Sequence, residues 1–382
     1  MERKKIRFKL DFIVSAIIFF KYFRLEQTTV KINITKVKKS RVNEVDMKNL
    51  NFGEVFSDHM LIIDHTGDKW QTPQILPYGD ICFPPSICAI HYGQVIFEGL
   101  KAFYTKQGKI NIFRPQKYHE RMNRSARRLC IPEMDYDLFF NSMVELLKLD
   151  QAWVPQQKGY SLYIRPFIFA TDSYIGVRVS EKYRFMIILS PVAAYYKEGL
   201  NPVRLITEAE YVRAAKGGLG GAKTPANYAA SLLPGNEAHK KGFTQVLWLD
   251  AAEHKYIEEV GTMNICFVID NKIVTPPLDG TILEGTTRDS VLRLARDAGI
   301  KVNEQRITID EVFEAAKNGS LNEVFGTGTA AVISPVGEIQ HKDKLIKIND
   351  GKIGVLSQKF YDEVTAVQYG EKPDKYDWIV TL

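Results

Sequence analysis

The sequence predicts a two-domain protein of the α/β or α+β class, and three observations carry that expectation. Apolar runs of strand length alternate with amphipathic stretches of helix length in both halves of the chain. A segment bracketed by Pro191 and Pro202, holding two tyrosines and a glycine, interrupts the pattern near the middle. The 382 residues, 45% apolar and 25% charged, are enough for two or three independently packed cores of ordinary soluble composition. The expected division is a basic, poorly ordered extension over 1–45 and a smaller domain over 46–190. A linker over 191–202 then leads to a larger domain over 203–382.

Residues 59–65 (HMLIIDH) read as a strand, with a turn at Thr66–Asp68. Residues 92–104 continue as short aromatic-rich strands, and 109–113 (KINIF) as another. Pro115 opens a helix to Arg128, since a missing N–H costs nothing in a first turn. Asp135–Leu149 is a second helix. Residues 161–170 and 183–190 are continuous apolar runs, as in strands covered on both faces. In the second half, 203–208 is a strand, 217–221 a Gly-rich stretch and 227–240 a helix. Three or four strands fill 244–250, 255–260 and 264–277, with a tight turn at Asp270–Asn271. Helices follow over 286–298 and beyond Thr308. Residues 322–336 read strand, glycine turn, strand.

The net charge of +6 is a property of the N-terminus. Residues 1–45 carry twelve Lys/Arg against four Asp/Glu, so the rest of the chain stands at −2. A nearly neutral body argues against a nucleic-acid reader, which should present a basic face. Residues 12–20 (FIVSAIIFF) follow a basic start, as in an export signal. A run of nine residues falls short of the roughly 20 that span a bilayer, and no small-residue cleavage site follows. The segment reads instead as a poorly ordered extension, or as a start codon assigned upstream of the true one. Cys82, Cys88, Cys130 and Cys266 form no C-x-x-C pair and no zinc-ligand spacing with histidine, so reduced cytosolic thiols and no metal site are expected.

Five stretches could carry chemistry, each with a plainer reading beside it. GGLGGAKTPANY (217–228) invites a phosphate-loop reading, but Ala222 stands where that motif needs its second glycine. A surface loop would carry the same letters. A lysine held in a Gly-tight pocket, however, loses charge by desolvation and can form a Schiff base. KYIEEVGTMN (255–264) ends a strand with two acids. Such a pair is usually solvated, yet a buried one needs a cationic partner, and a protonated pyridine nitrogen is one. LEGTTRDSVLRLA (283–295) presents free N–H groups and hydroxyls at a helix start, suited to a phosphate or to an ordinary cap. FGTGTAAV (325–332) is a glycine–hydroxyl turn able to cradle an anion. FRPQKYHERMNRSARRLC (113–130) bears five arginines, one of which could clamp a phosphate from within. Together these suit pyridoxal 5′-phosphate (PLP), whose enzymes need a lysine and an acid or arginine at the ring nitrogen.

In this ordered series, with FSDHM, HYGQVIFEGLKAF, SLYIRP and PVAAYY, residues 50–370 resemble the branched-chain amino-acid aminotransferases, enzymes of PLP fold type IV. The resemblance implies a two-domain fold with the active site between the domains. Lys223 would be the Schiff-base lysine and proton shuttle, Glu259 the partner of the ring nitrogen, and Tyr228 the partner of the cofactor O3′. Arg121 would hold the phosphate with Thr286, Thr287 and Thr329, and Thr262 would lie near the ring. Phe56, Tyr92, Phe97, Tyr163 and Tyr195 match a hydrophobic substrate pocket. Thr329 and Ala330 match the turn that receives the α-carboxylate, and Arg165 an arginine that helps accept glutamate. Val177 matches a residue that reaches the partner subunit's pocket, which implies a homodimer. Some animal members carry a C-x-x-C after this turn. Ala331 and Ser334 stand there, so no thiol switch is expected. The implied reaction moves the amino group of L-leucine, L-isoleucine or L-valine to 2-oxoglutarate, in the cytoplasm and with no membrane partner. D-Amino-acid aminotransferase and aminodeoxychorismate lyase share the fold and are the alternatives.

Overall fold

The computed structural model describes residues 30–193 and 200–382. The first half builds β1 (Asn33–Ile34), β2 (His59–Thr66), β3 (Lys69–Trp70), β4 (Gln74–Pro77), β5 (Val95–Phe97), β6 (Leu100–Tyr104), β7 (Ile110–Phe113), β8 (Ser161–Ala170) and β9 (Tyr183–Val192). Helices α1 (Cys88–Tyr92), α2 (Pro115–Arg128) and α3 (Tyr136–Leu149) accompany them. The second half builds β10 (Val203–Thr207), α4 (Pro225–Ala230), α5 (Leu232–Lys240), β11 (Gln245–Leu249), β12 (Ile257–Val260), β13 (Met263–Ile269) and β14 (Lys272–Thr275). It continues through α6 (Thr286–Asp297), β15 (Val302–Glu304), α7 (Ile309–Lys317), β16 (Leu321–Gly328), β17 (Val332–His341), β18 (Lys344–Lys347), α8 (Val355–Gln368) and β19 (Ile379–Thr381).

Two sheets result. The first runs β1-β4-β2-β9-β8-β6-β7-β19 and is antiparallel except where β1 joins β4. Its long central pair, β8 and β9, is the continuous apolar pair read from sequence, and its core includes Leu61, Ile164, Ile187 and Phe139. The second runs β12-β11-β10-β17-β16-β13-β14-β15, and a further pairing of β12 with β13 closes six of its strands into a ring. Parallel pairs β10–β11 and β10–β17 sit beside antiparallel ones, so this sheet is mixed. Helix termini follow local chemistry: Pro115 opens α2, the Asp135 carboxylate accepts two amides of α3, and Thr308 with Glu311 forms a capping box on α7.

The structure departs from the sequence expectation in four places. Residues 30–45 are docked: Asn33–Ile34 pair with Gln74–Ile75, and Arg41 N donates to Asp58 Oδ1 at 3.0 Å. Their apolar side chains Ile32 and Val42 pack on the first core, which a composition reading overlooks among so many lysines. Residues 1–29, including the apolar run, lie outside the described residues. The strands expected from residue 92 begin only at Val95, because α1 precedes them and ends on Gly93 at φ 65°. The helix expected over 227–240 is two helices, α4 and α5. Pro234 has no N–H to continue a helix and is tolerated only in the first turn of a new one. The fourth is the chain's end, where β19 crosses back to pair with β7. The last residues therefore belong to the first sheet rather than to the domain expected over 203–382.

Helix α8, also unforeseen, is anchored by Glu323 of β16, whose carboxylate accepts Leu356 N at 2.8 Å and Ser357 N at 2.9 Å. Glu323→Ala should cost about 1–2 kcal/mol in urea unfolding. A loss under ~0.5 kcal/mol, the scale of an ordinary surface change, would show that this cap is idle.

Candidate active site

A cavity of about 250 Å³ opens between the two sheets. Its walls combine Phe97, Arg121, Tyr163 and Arg165 from the first half with Lys223, Tyr228, Glu259, Thr262, Thr286, Thr287, Thr329 and Ala330 from the second.

Lys223, in the second half of the chain, is held by the first. Its backbone N–H donates to Ser125 Oγ of α2 at 2.9 Å, and its carbonyl accepts Phe97 N of β5 at 3.1 Å. Upstream, Gly220 lies so close to the Thr281 carbonyl that any Cβ there would overlap it. The glycine run thus serves close packing, not a phosphate loop. The Lys223 amine donates to the Tyr228 hydroxyl at 2.6 Å and sits 4.8 Å from the centre of the Phe97 ring. Burial, and then the positive charge of Arg121, push its pKa down to about 8. Burial, and then the Glu259 carboxylate, push Tyr228 up to about 12.

Glu259 is buried at the end of β12. Its Oε2 pairs with Arg213 Nε at 2.7 Å, while Oε1 accepts Leu283 N at 2.8 Å and Asn264 Nδ2 at 3.1 Å. The cationic partner that a buried acid requires is therefore supplied by the chain itself. Burial raises the Glu259 pKa, and Arg213 opposes that. Two carboxylate oxygens offer about four lone pairs, so capacity remains for a donor from the pocket. Glu258, on the opposite face of the strand, is pushed by burial to about 7 and takes no part in the wall of this cavity.

Arg121 is less free than the sequence suggests. Its Nε and Nη2 each reach a Glu98 oxygen at 2.7 Å, and its Nη1 donates to Glu284 O at 3.0 Å. Burial disfavours its charge, but Glu98 holds the guanidinium firmly protonated. Beside it, α6 begins at Thr286 and Thr287, both buried, with no side-chain cap on its first turn. Free N–H groups at a helix start are the ordinary seat of a phosphate. Gly285, which caps the helix, packs tightly against Asn264, whose Oδ1 a Cβ there would overlap.

The opposite wall is aromatic. The Arg165 guanidinium lies over Phe97 at 4.8 Å and Tyr163 at 5.3 Å, and Nη2 donates to the Tyr163 hydroxyl at 3.1 Å. Tyr163 meets Phe52 edge to face at 4.9 Å. Phe52, unnoticed in the sequence, lines the cavity, whereas Phe56 stacks on Tyr78 outside it. Tyr92, at the end of α1, and Val177, 89% exposed, also lie outside the lining. Tyr195 lies outside the described residues. Sequence reasoning also misses Glu98 and Arg213, and it gives Asn264 a place in a site-like turn but no role. Glu98 has a signal, a lone acid inside an apolar strand pattern, while Arg213 has none. Among the described residues no group of His, Cys, Asp or Glu could hold a metal ion.

A half-buried lysine of lowered pKa, a buried glutamate and an open helix start around one slot suit a PLP-type site. Residues 95–339 match the family described as Amino-transferase class IV, and the chain belongs to it. It is 49% identical over 355 residues, 93% of this chain, to branched-chain-amino-acid aminotransferase 2 of Bacillus subtilis, of which 97% is covered. The fold matches the crystal structure of the Escherichia coli branched-chain amino acid aminotransferase with a TM-score of 0.70 and 26% identity. That match covers 84% of this chain and 98% of that one. The T.th. branched-chain amino acid aminotransferase, complexed with N-(5′-phosphopyridoxyl)-L-glutamate, matches with a TM-score of 0.67 and 27% identity. There the coverage is 83% of this chain and 97% of that one. The fold is that of the type IV PLP enzymes, and PLP is the cofactor of the class.

A lysine held near pKa 8 against an ordinary value of 10.5 is a stability cost. The penalty is full below pH 8, where both folded and unfolded forms are protonated. It fades between pH 8 and 10.5, where only the unfolded form binds the proton. Lys223→Met should therefore stabilise the cofactor-free protein by up to about 3 kcal/mol at pH 7, and the gain should vanish near pH 10.5. A gain that does not change with pH would refute the desolvation account.

Proposed function

We propose that the chain is a branched-chain amino-acid aminotransferase. It transfers the amino group of L-leucine, L-isoleucine or L-valine to 2-oxoglutarate as a cytoplasmic homodimer. The observation that carries the reading is Lys223, an amine of lowered pKa facing Glu259 across a slot that ends at the α6 start. These residues fit PLP. Lys223 would hold it covalently and Glu259 would face its ring nitrogen. The α6 N–H groups with Thr286, Thr287, Thr329 and the remaining face of Arg121 would take its phosphate. When bound, the cofactor supplies a ring that absorbs the negative charge developing at the substrate Cα.

The chain's own residues do the rest. Once the substrate amine has displaced it from the cofactor, Lys223 Nζ, whose hydrogen bond goes to Tyr228, would carry the proton from the substrate Cα to the cofactor C4′. Tyr228 keeps that amine oriented through the 2.6 Å bond. Arg213 opposes the burial that raises the Glu259 pKa, which favours the carboxylate form that would keep a facing nitrogen protonated. Phe97, Tyr163 and Phe52 give an aliphatic side chain an apolar wall, and Thr262, which lines the same cavity, would lie near the cofactor ring. Arg165 and the Tyr163 hydroxyl offer the cation and polar partner that the second carboxylate of glutamate needs. The exposed apolar residues Ile90, Tyr92, Ile175 and Val177 support a dimer whose partner covers them and adds Tyr92 or Val177 to a pocket. Among the described residues no helix is long and apolar enough to cross a membrane.

Purified protein should show a visible absorbance band that shifts on adding L-leucine and returns with 2-oxoglutarate. Lys223→Ala should abolish turnover. A band indifferent to L-leucine but responsive to D-alanine would move the assignment to D-amino-acid transamination. Normal turnover in Lys223→Ala would remove the mechanism altogether.

A further inference from the structure

The turn over 329–331 joins β16 to β17 and forms one wall of the active-site cavity. Its backbone is not relaxed. Val332, directly after it, has φ 64°, a left-handed conformation that suits a β-branched residue poorly. Such a conformation persists only where the surroundings impose it. Two side chains from the first half of the chain hold the turn that precedes Val332. The Lys101 ammonium, on β6, donates to the Ala330 carbonyl at 2.7 Å. The Tyr118 hydroxyl, on α2, lies 3.0 Å from Thr329 Oγ1.

Lys101 is unusual among the buried cations. Arg114, Arg121 and Arg288 are each paired with a carboxylate, Asp289, Glu98 and Glu304 respectively. Lys101 is as buried as they are, yet it has no carboxylate partner among the described residues. Burying an unpaired ammonium is costly. Burial pushes its pKa down to about 8, so near pH 7 it is mostly protonated and its charge bears on one carbonyl of the turn, beside the place where an anionic group of the substrate is expected.

We propose that Lys101 is a positioning residue for the substrate α-carboxylate. It fixes the Thr329–Ala330 turn beside the left-handed Val332 and supplies the positive charge that balances the carboxylate from behind the turn. The proposal rests on the reading that this turn receives the α-carboxylate. Lys101 touches neither substrate nor cofactor. It acts through the Ala330 peptide, whose polarised carbonyl strengthens the hydrogen bonding of the turn.

The test uses the PLP-loaded enzyme and two probes, 4-methylpentanoate and its uncharged amide. Dissociation constants by calorimetry are set beside kcat and KM for L-leucine. Lys101→Met should raise KM and the 4-methylpentanoate Kd at least about tenfold, with kcat changed less than about threefold. The amide should lose far less affinity, and Lys101→Arg should restore carboxylate binding. Unchanged carboxylate affinity in Lys101→Met would overturn the proposal. So would equal losses for acid and amide, which a merely structural role would produce. If Lys101→Met does not fold, Lys101→Gln keeps a donor without the charge and is judged by the same acid-over-amide preference. A wild-type enzyme that binds acid and amide equally would instead overturn the underlying reading of the turn.

Discussion

An amine that must exchange protons near neutral pH has to be kept from water without a carboxylate to fix its charge. The pocket is organised around that constraint at Lys223. Two carboxylates lie close enough to influence the site, Glu98 and Glu259, and each is committed to an arginine, Arg121 and Arg213. The amine is left with a neutral hydroxyl and an aromatic face. Burial then decides its pKa, because no salt bridge opposes it.

The two sheets make this possible by meeting at the site. Lys223 belongs to the second half, but its backbone is tied to Ser125 and Phe97 of the first. The carboxylate turn likewise belongs to the second sheet and is tied to Lys101 and Tyr118 of the first. The final strand β19 returns to the first sheet, adding a covalent strap across the same division. A slot between two such bodies can carry apolar walls and fixed charges together, since the ion pairs Arg121–Glu98 and Arg213–Glu259 each form within one half.

Legibility follows the range of the interaction concerned. Strands β8 and β9 and helices α2 and α3 are readable because continuous apolar runs, a proline at a first turn and an aspartate cap are local signals. The paired helices α4 and α5 read as one because periodicity outweighs Pro234. Lys223, Glu259 and the α6 start are visible as motifs, while Arg213 and Lys101 resemble any other basic residue. Phe56 and Phe52 stand four residues apart, and only one of them lines the cavity. Nothing in those letters says which ring turns toward it.

By itself the sequence determined the mixed class of fold, most element positions and the identities of the reactive groups. Those depend on propensity, periodicity and residue chemistry, which act over a few positions. Only the tertiary structure decided the pairings that tune those groups. The partners of Arg121 and Glu259, the docking of residues 30–45 and the return of β19 all join segments distant in the chain. Charge balance and burial are properties of the assembled pocket, and they exist only once both sheets have closed around it.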